Sequence, residues 1–376
     1  MRKARWLAPW KDSRVKPAIY HCISRVVDRR FVFGDGEREQ FRTYMRMYEN
    51  FSGIRVLAYC VMSNHIHLLL EVPPIPIGGL SDRELLLRLR SIYSEAIVAE
   101  VEKQLIAART KGLSAVAEEI HQRYTYRMHN LSQFMKTVMQ RMTQWYNRQN
   151  ERSGTLWEER FKSVIVESGI AARMIAAYID LNPVRAGIVT DPAKYRWSSY
   201  GEAIGGGSKG NGKKAREGLV RACMSHKGLG FDATKWNDVA KIYRKMLGLA
   251  LERKSGEAKV EVTAFKNKRL ATVTQKSLQH AGKPDPNAVK HDDNETVLQD
   301  LKMAEMLAHR IRYFSDGAVI GSKIFVNEAF ALAREKFSTS RKDGARKMRG
   351  AAESAAGVLW SARDLRLNVA LSQNQH

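Results

Sequence analysis

The stretch Val61-Met62-Ser63-Asn64-His65-Ile66-His67-Leu68-Leu69-Leu70-Glu71 decides how this chain is read. Residues 54–62 and 65–72 are both rich in β-branched and aliphatic side chains, and Ser63-Asn64 between them suits a short turn. The segment therefore reads as a β-hairpin. Side chains alternate faces along a strand, so His65 and His67 share one face while Ile66 and Leu68 point the other way, toward a core. Two imidazoles side by side make one edge of a divalent-metal site that needs a further ligand from elsewhere. The same spacing also fits two satisfied structural histidines, and His-x-His alone does not choose between them.

Working outward, residues 17–25 read as a first strand, with the cations Arg25, Arg29 and Arg30 at and just beyond its end. Residues 36–50 space Phe41, Tyr44, Met45 and Tyr48 as a helix does, and Pro73, Pro74 and Pro76 close the second hairpin strand. From about 80 to 149 the period is helical. Ser153-Gly154 punctuates the run, and 156–167 ends in another apolar strand. A short helix over 170–181 is expected to stop at Asn182-Pro183, because the residue before proline avoids the α region. One α+β unit thus spans 1–204. Residues 205–217, rich in Gly and Lys, read as a flexible linker. The remainder, 218–376, reads as a mostly helical, basic C-terminal region. Within it 297–337 has the pattern helix, break at Ser315-Asp316-Gly317, helix. That pattern fits a helix-turn-helix as well as a helical hairpin used for packing.

Composition narrows the class of partner. With 63 Lys+Arg against 39 Asp+Glu, the chain carries a formal charge of +24, which favours a polyanion and nucleic acid first. A hydrophobic fraction of 44% over 376 residues excludes a disordered chain. Cys22, Cys60 and Cys223 lie far apart without CxxC spacing, which argues against a disulfide framework or thiolate zinc site. No apolar run is long enough to span a bilayer, and the first ten residues lack the apolar centre of a secretory signal. A cytoplasmic protein with no membrane partner is expected.

Tyr178 and Asn182 stand four apart on the helix that ends at Pro183 and so on one face. Were that face laid over the histidine edge, the Asn182 side-chain oxygen would complete a metal site beside the Tyr178 phenol. A tyrosine oxygen attacks phosphorus when a cation offsets the charge that develops. The local pattern by itself is that of a core tyrosine and a helix-end asparagine. Cations and aromatics interleave at Tyr124, Tyr126 and Arg127 and again at Arg141, Trp145, Tyr146 and Arg148, a combination that suits single-stranded DNA. At least one of Trp145 and Tyr146 is expected in the core. Trp157, Arg160 and Lys162 are the better contact candidates, and Arg185 fits a phosphate contact or an ordinary surface arginine.

These residues resemble a family. The segment around His65-Ile66-His67 is similar to the HUH motif (His, hydrophobic residue, His) of single-tyrosine transposases, in the branch of REP-associated tyrosine transposases related to those of IS200-type insertion sequences. Tyr20-His21-Cys22-Ile23-Ser24-Arg25, residues 154–163, residues 178–189 and Tyr195-Arg196-Trp197-Ser198-Ser199-Tyr200 resemble that branch in the same order. The resemblance spans roughly 5–205. It implies a ferredoxin-like antiparallel sheet with helices, a Mg²⁺ or Mn²⁺ ion on His65 and His67, Asn182 as third protein ligand, and Tyr178 as nucleophile. It implies cleavage and rejoining of single-stranded DNA, often hairpin-bearing, through a 5′-phosphotyrosine, by a monomer or homodimer. The chain departs from the compact pattern by a helical insertion at about 75–127 and by its long C-terminal region. Two other readings remain: a catalytically silent or domesticated regulatory DNA-binding protein of the same fold, and an RNA-binding domain using an open sheet face.

Arg25, Arg29, Arg30, Arg148, Trp157, Arg160, Lys162 and Arg185 are the expected DNA contacts. If cations dominate binding, affinity for single-stranded DNA falls log-linearly with salt, by about a thousandfold or more between roughly 50 and 200 mM for six or more phosphates. Fluorescence-anisotropy titrations at a series of salt concentrations measure the slope, and a flat response would remove the phosphate-contact reading.

Overall fold

Strand β1 (Ala18–Arg25) leads into helix α1 (Asp35–Ser52), whose Phe41, Met45, Tyr48 and Phe51 recur at three- and four-residue spacing and are all buried. The computed structural model describes residues 6–207, 209–224, 235–255, 306–307, 312–348 and 359–362. Strands β2 (Arg55–Val61) and β3 (His65–Val72) form the expected antiparallel hairpin. Three helices of the insertion follow, α2 (Asp82–Leu89), α3 (Glu95–Thr110) and α4 (Ser114–Thr125). Helix α5 (Leu131–Gln149) then returns to pack on α1 and leads to β4 (Lys162–Val166). Without the insertion the order is β-α-β-β-α-β, with strands side by side as β2-β3-β1-β4 and every neighbouring pair antiparallel. This is the ferredoxin-like arrangement that the resemblance of the motifs implied.

The alternation of side chains divides the core in two. Tyr20, Cys22, Ile66, Leu68 and Leu70 face α1 and α5. Ile19, Leu69, Val164 and Val166 face the other way, onto helices α6 (Ile170–Asp180), α8 (Ser199–Gly205), α9 (Gly210–Cys223) and α10 (Trp236–Ser255). Both sheet faces are therefore covered, which removes the open platform that the RNA-binding reading requires. No helix among the described residues is long and apolar enough to cross a membrane.

The structure departs from the sequence reading at three places. Helix α6 ends at Asp180, and Asn182–Arg185 form a separate turn, α7, with Pro183 in its first turn, where the missing N–H costs nothing. The expected flexible linker at 205–217 is largely helix α9. Its glycines serve close packing, since a Cβ on Gly218 would stand 2.4 Å from the Val56 carbonyl oxygen. Arg221 of the same helix pairs with the fully buried Glu71 of β3.

The third departure is in the C-terminal region. Between α11 (Tyr313–Asp316) and α12 (Lys323–Leu332) lies not a turn but strand β5 (Val319–Gly321), parallel to β4 with Ile165 opposite Val319. Strands β6 (Arg346–Lys347) and β7 (Trp360–Ser361) continue the sheet to seven strands among the described residues, in the order β2-β3-β1-β4-β5-β7-β6. The helix-turn-helix expectation for 297–337 is thus overturned over 312–337, while 297–305 and 308–311 lie outside the described residues. A three-residue apolar strand is too short for periodicity to separate from a helix, and the free edge of β4 supplied the partner. Within the basic segment 340–348, Arg346 and Lys347 belong to that sheet.

Gly218→Val places branched carbon against the β2 backbone. It is expected to destabilise the protein by about 1–3 kcal/mol, read as a lowered midpoint in urea denaturation with an unchanged slope. An unaltered midpoint would show that α9 does not need this close approach.

Candidate active site

The hairpin turn is closed by the Met62 N–H, which donates to the His65 carbonyl (2.9 Å). Asn64 secures the turn on two sides. Its Nδ2 donates to the Arg29 carbonyl (3.0 Å), and its Oδ1 lies 2.6 Å from His65 Nδ1. Across the sheet, Arg25 is opposite His65 and Ile23 is opposite His67. The period of two then places His21 on the same face, where its Nε2 lies 3.0 Å from His67 Nδ1 and its Nδ1 lies 2.6 Å from the Phe314 carbonyl. The His21 and His67 rings stack at 5.2 Å. Burial pulls the His21 pKa down to about 4, against the opposing effect of the Phe314 carbonyl. His67 is also pulled well below the ordinary histidine range, by burial first and then by repulsion from His65, His21, Arg25 and Arg185.

Helix α6 lies over this face and brings Tyr178 to it. Tyr178 is 3% exposed, with its ring edge-on to His67 (6.1 Å), His21 (6.2 Å) and Phe314 (5.1 Å). Pro183 has no N–H to offer the Ile179 carbonyl. The Asn182 Nδ2 takes that place, donating to Ile179 O (3.2 Å) and to Tyr178 O (3.1 Å). With its nitrogen held by the backbone, the Asn182 Oδ1 is left as the acceptor that an incoming cation would meet. Arg185 donates to Tyr178 O (2.8 Å) and Leu307 O (2.6 Å), and its guanidinium stands 4.7 Å from the Tyr178 ring centre.

His65, His67, Tyr178 and Asn182 therefore line one cavity of about 490 Å³, together with Arg25, Arg29 and Arg185. The sequence placed these residues on a strand and a helix, and here the two meet within a single chain. No carboxylate among the described residues lines the cavity. Among the described residues no group of three His, Cys, Asp or Glu is arranged to hold a metal ion. The donor set on offer is instead two imidazoles and a carboxamide oxygen, which a Mg²⁺ or Mn²⁺ ion accepts when phosphate oxygens and water complete its shell. A smaller cavity of about 130 Å³ shares Arg25, Arg29 and Ser315 with the first and adds the cations Arg160 and Lys162 together with the carboxylates Glu158, Glu159 and Asp316. Five of the eight expected DNA contacts thus border one continuous groove. Arg30 and Arg148 are exposed but border neither cavity.

Trp157 is a correction. Its indole is 6% exposed, donates to the Met139 carbonyl (3.0 Å) and sits edge-on to Phe33 and Phe41, so it is a core residue and not a stacking platform. Trp145 and Tyr146 are both half-buried against the same core. Arg185 lines the cavity, yet two of its donors hold backbone carbonyls, so it shapes the tyrosine turn as well as facing the pocket. Sequence reasoning passed over His21, Asn64 and Ser315 as site residues. His21 and Asn64 stood inside the quoted motifs. Nothing local signalled Ser315 or Phe314.

Residues 14–105 match the family model described as IS200-like transposases. That segment holds β1, α1 and the hairpin with both histidines, and the match bears out the resemblance read from the motifs. Among solved structures, one described as a REP-associated tyrosine transposase bound to a REP hairpin is similar at 12% identity, with a TM-score of 0.32, over 62% of this chain and 97% of that one. No curated protein matches the chain.

Asp180, in the tyrosine helix itself, is fully buried and anchors that helix. It accepts from the Tyr243 hydroxyl (2.7 Å) and from the Tyr200 N–H (3.0 Å). Burial raises its pKa from 3.8 to about 7, against the lowering effect of these hydrogen bonds. Between those two values the unfolded chain has released the proton while the folded chain retains it, so stability falls as pH rises through the window. The slope from one such group is at most about 1.4 kcal/mol per pH unit. Asp180→Asn is expected to flatten this loss in denaturant-unfolding curves taken from pH 5 to 8. Equal slopes in the two proteins would mean that Asp180 is already ionised in the fold.

Proposed function

We propose that this protein cleaves and rejoins single-stranded DNA with Tyr178 as the nucleophile. The observation that carries the reading is the convergence of Tyr178 and Asn182 with His65 and His67 in one cation-rimmed, carboxylate-free cavity. The IS200-like match over 14–105 supports a transposase acting on DNA.

In this reading the Tyr178 oxygen attacks the scissile phosphorus. The new bond is Tyr178 O–P, the bond that breaks is P–O3′, and the phenol proton leaves as the 3′-oxygen acquires one. The products are a 5′-phosphotyrosine and a free 3′-OH, which can attack the same linkage later and rejoin strands without an outside energy source. His65, His67 and the Asn182 oxygen would hold a Mg²⁺ or Mn²⁺ ion, whose contribution is to polarise the phosphate. Arg25 and Arg29 steer the backbone into the cavity, and Arg160 and Lys162 extend the track along the flanking strand. The aromatic walls from His21, His67 and Phe314 fix the Tyr178 ring, so little rotational freedom is lost when the phosphate arrives. A substrate bearing a hairpin beside the cleavage point belongs to the same proposal, as does the REP-associated branch.

The competing reading is a catalytically silent regulatory protein that binds the same DNA. Incubation with end-labelled, hairpin-bearing single-stranded DNA and Mn²⁺ separates the two. The expected result is a denaturant-resistant protein–DNA adduct, lost entirely in Tyr178→Phe and reduced at least a hundredfold in His67→Ala. Tight binding without an adduct on any hairpin would favour the silent binder, and an adduct from Tyr178→Phe would place the nucleophile elsewhere.

A further inference from the structure

We propose that His21, anchored by the Phe314 carbonyl, is a positioning residue that sets the tautomer of His67 and so turns the Nε2 lone pair of His67 toward the cavity. The argument is one of proton counting. A carbonyl oxygen only accepts, so the 2.6 Å contact to Phe314 O places the His21 proton on Nδ1. A neutral imidazole carries one N–H, which leaves His21 Nε2 as an acceptor. The proton in the 3.0 Å contact between His21 Nε2 and His67 Nδ1 therefore belongs to His67. With its single proton on Nδ1, His67 keeps its lone pair on Nε2, the form in which imidazole binds a cation. The opposite polarity requires an imidazolium at His21, whose side chain is 0% exposed and whose ring nitrogens face the Phe314 carbonyl and the His67 ring rather than a carboxylate.

The anchor comes from outside the segment that carries the motifs. Phe314 is 293 residues from His21 in sequence and sits in α11, in the C-terminal region. The same turn presses the Phe314 ring on Tyr178 and puts Ser315 on the walls of both cavities. It is tied to β4 by Lys162 and Asp316 (3.1 Å). The C-terminal region thus supplies a part of the catalytic centre. The relay itself is independent of metal, while its consequence for cation binding rests on the reading of His65 and His67 as ligands.

The test uses the full chain labelled with ¹⁵N-histidine, metal-free and at neutral pH. Long-range ¹H–¹⁵N spectra are expected to show His21 and His67 both as Nδ1–H tautomers. In His21→Leu, His67 should lose that single state and populate both tautomers. In His21→Gln, whose carboxamide oxygen still accepts from His67 Nδ1, the Nδ1–H form should persist. Calorimetric titration with Mn²⁺ should give binding roughly ten- to a hundredfold weaker for His21→Leu, and near that of the parent for His21→Gln. The inference is overturned if His67 in the parent is the Nε2–H tautomer, or if it keeps Nδ1–H unchanged in His21→Leu. Should His21→Leu fail to fold, the parent and His21→Gln spectra still decide the matter. Expected tautomers combined with no Mn²⁺ binding by the parent would support the relay and count against the ligand reading alone.

Discussion

The pairing register of β1 against β3 is the constraint on which the rest of the site depends. With Ile23 opposite His67 and Arg25 opposite His65, the side chains of His21, Ile23, Arg25, His65 and His67 all stand on one face. A slip of either strand by one residue would turn its members of the set to the other side and separate the β1 residues from the β3 histidines. The register is held from both directions, because Tyr20, Cys22, Ile66, Leu68 and Leu70 are packed under α1 and α5 and cannot be exposed cheaply. The same alternation that builds the core thereby delivers the imidazoles to the opposite layer.

The helix over that opposite layer is buried nearly all round. Such a helix needs internal anchors for its polar groups, and these are present. Asp180 is satisfied by Tyr243 and Tyr200, the Ile179 carbonyl that Pro183 leaves without an N–H is taken by Asn182, and the Tyr178 carbonyl is held by Arg185. Elsewhere Glu202 of α8 is clamped by Arg42 and Arg46 of α1, and Glu71 by Arg55 and Arg221. Buried ion pairs of this kind contribute little net stability but penalise any arrangement that separates them. They fix where α8 and α9 sit, and through them where α6 lies on the sheet.

The two departures from a compact chain have different relations to this centre. The insertion helices α2, α3 and α4 stack on one another and reach the body through α1, on the face away from the histidines. The C-terminal region instead adds strands beyond β4 and lays the turn at 313–316 against Tyr178 and His21. One addition is peripheral to the cavity, and the other forms part of its wall.

The sequence by itself determined the elements and their faces. The period of two placed His65 and His67 together, the four-residue spacing aligned Tyr178 with Asn182, and the changes of period marked out an α+β unit, because these are local regularities of backbone geometry, whereas the ferredoxin-like sheet was implied only by the resemblance of the motifs. Where local pattern and long-range partners disagreed, the sequence misled. The Gly/Lys stretch at 205–217 looked like a linker, but most of it is the start of α9, which Gly218 allows to approach the β2 backbone. Trp157 looked like a surface ring and is core, since only the packing of Phe33 and Phe41 shows which way it turns. The short apolar run at 319–321 became a strand only because β4 offered it an edge. Tertiary structure alone decided that the strand edge and the tyrosine helix meet, and that Phe314 reaches His21 across the chain. Contacts between residues so distant in sequence leave no periodic trace, because they are selected by shape and by the satisfaction of buried polar atoms.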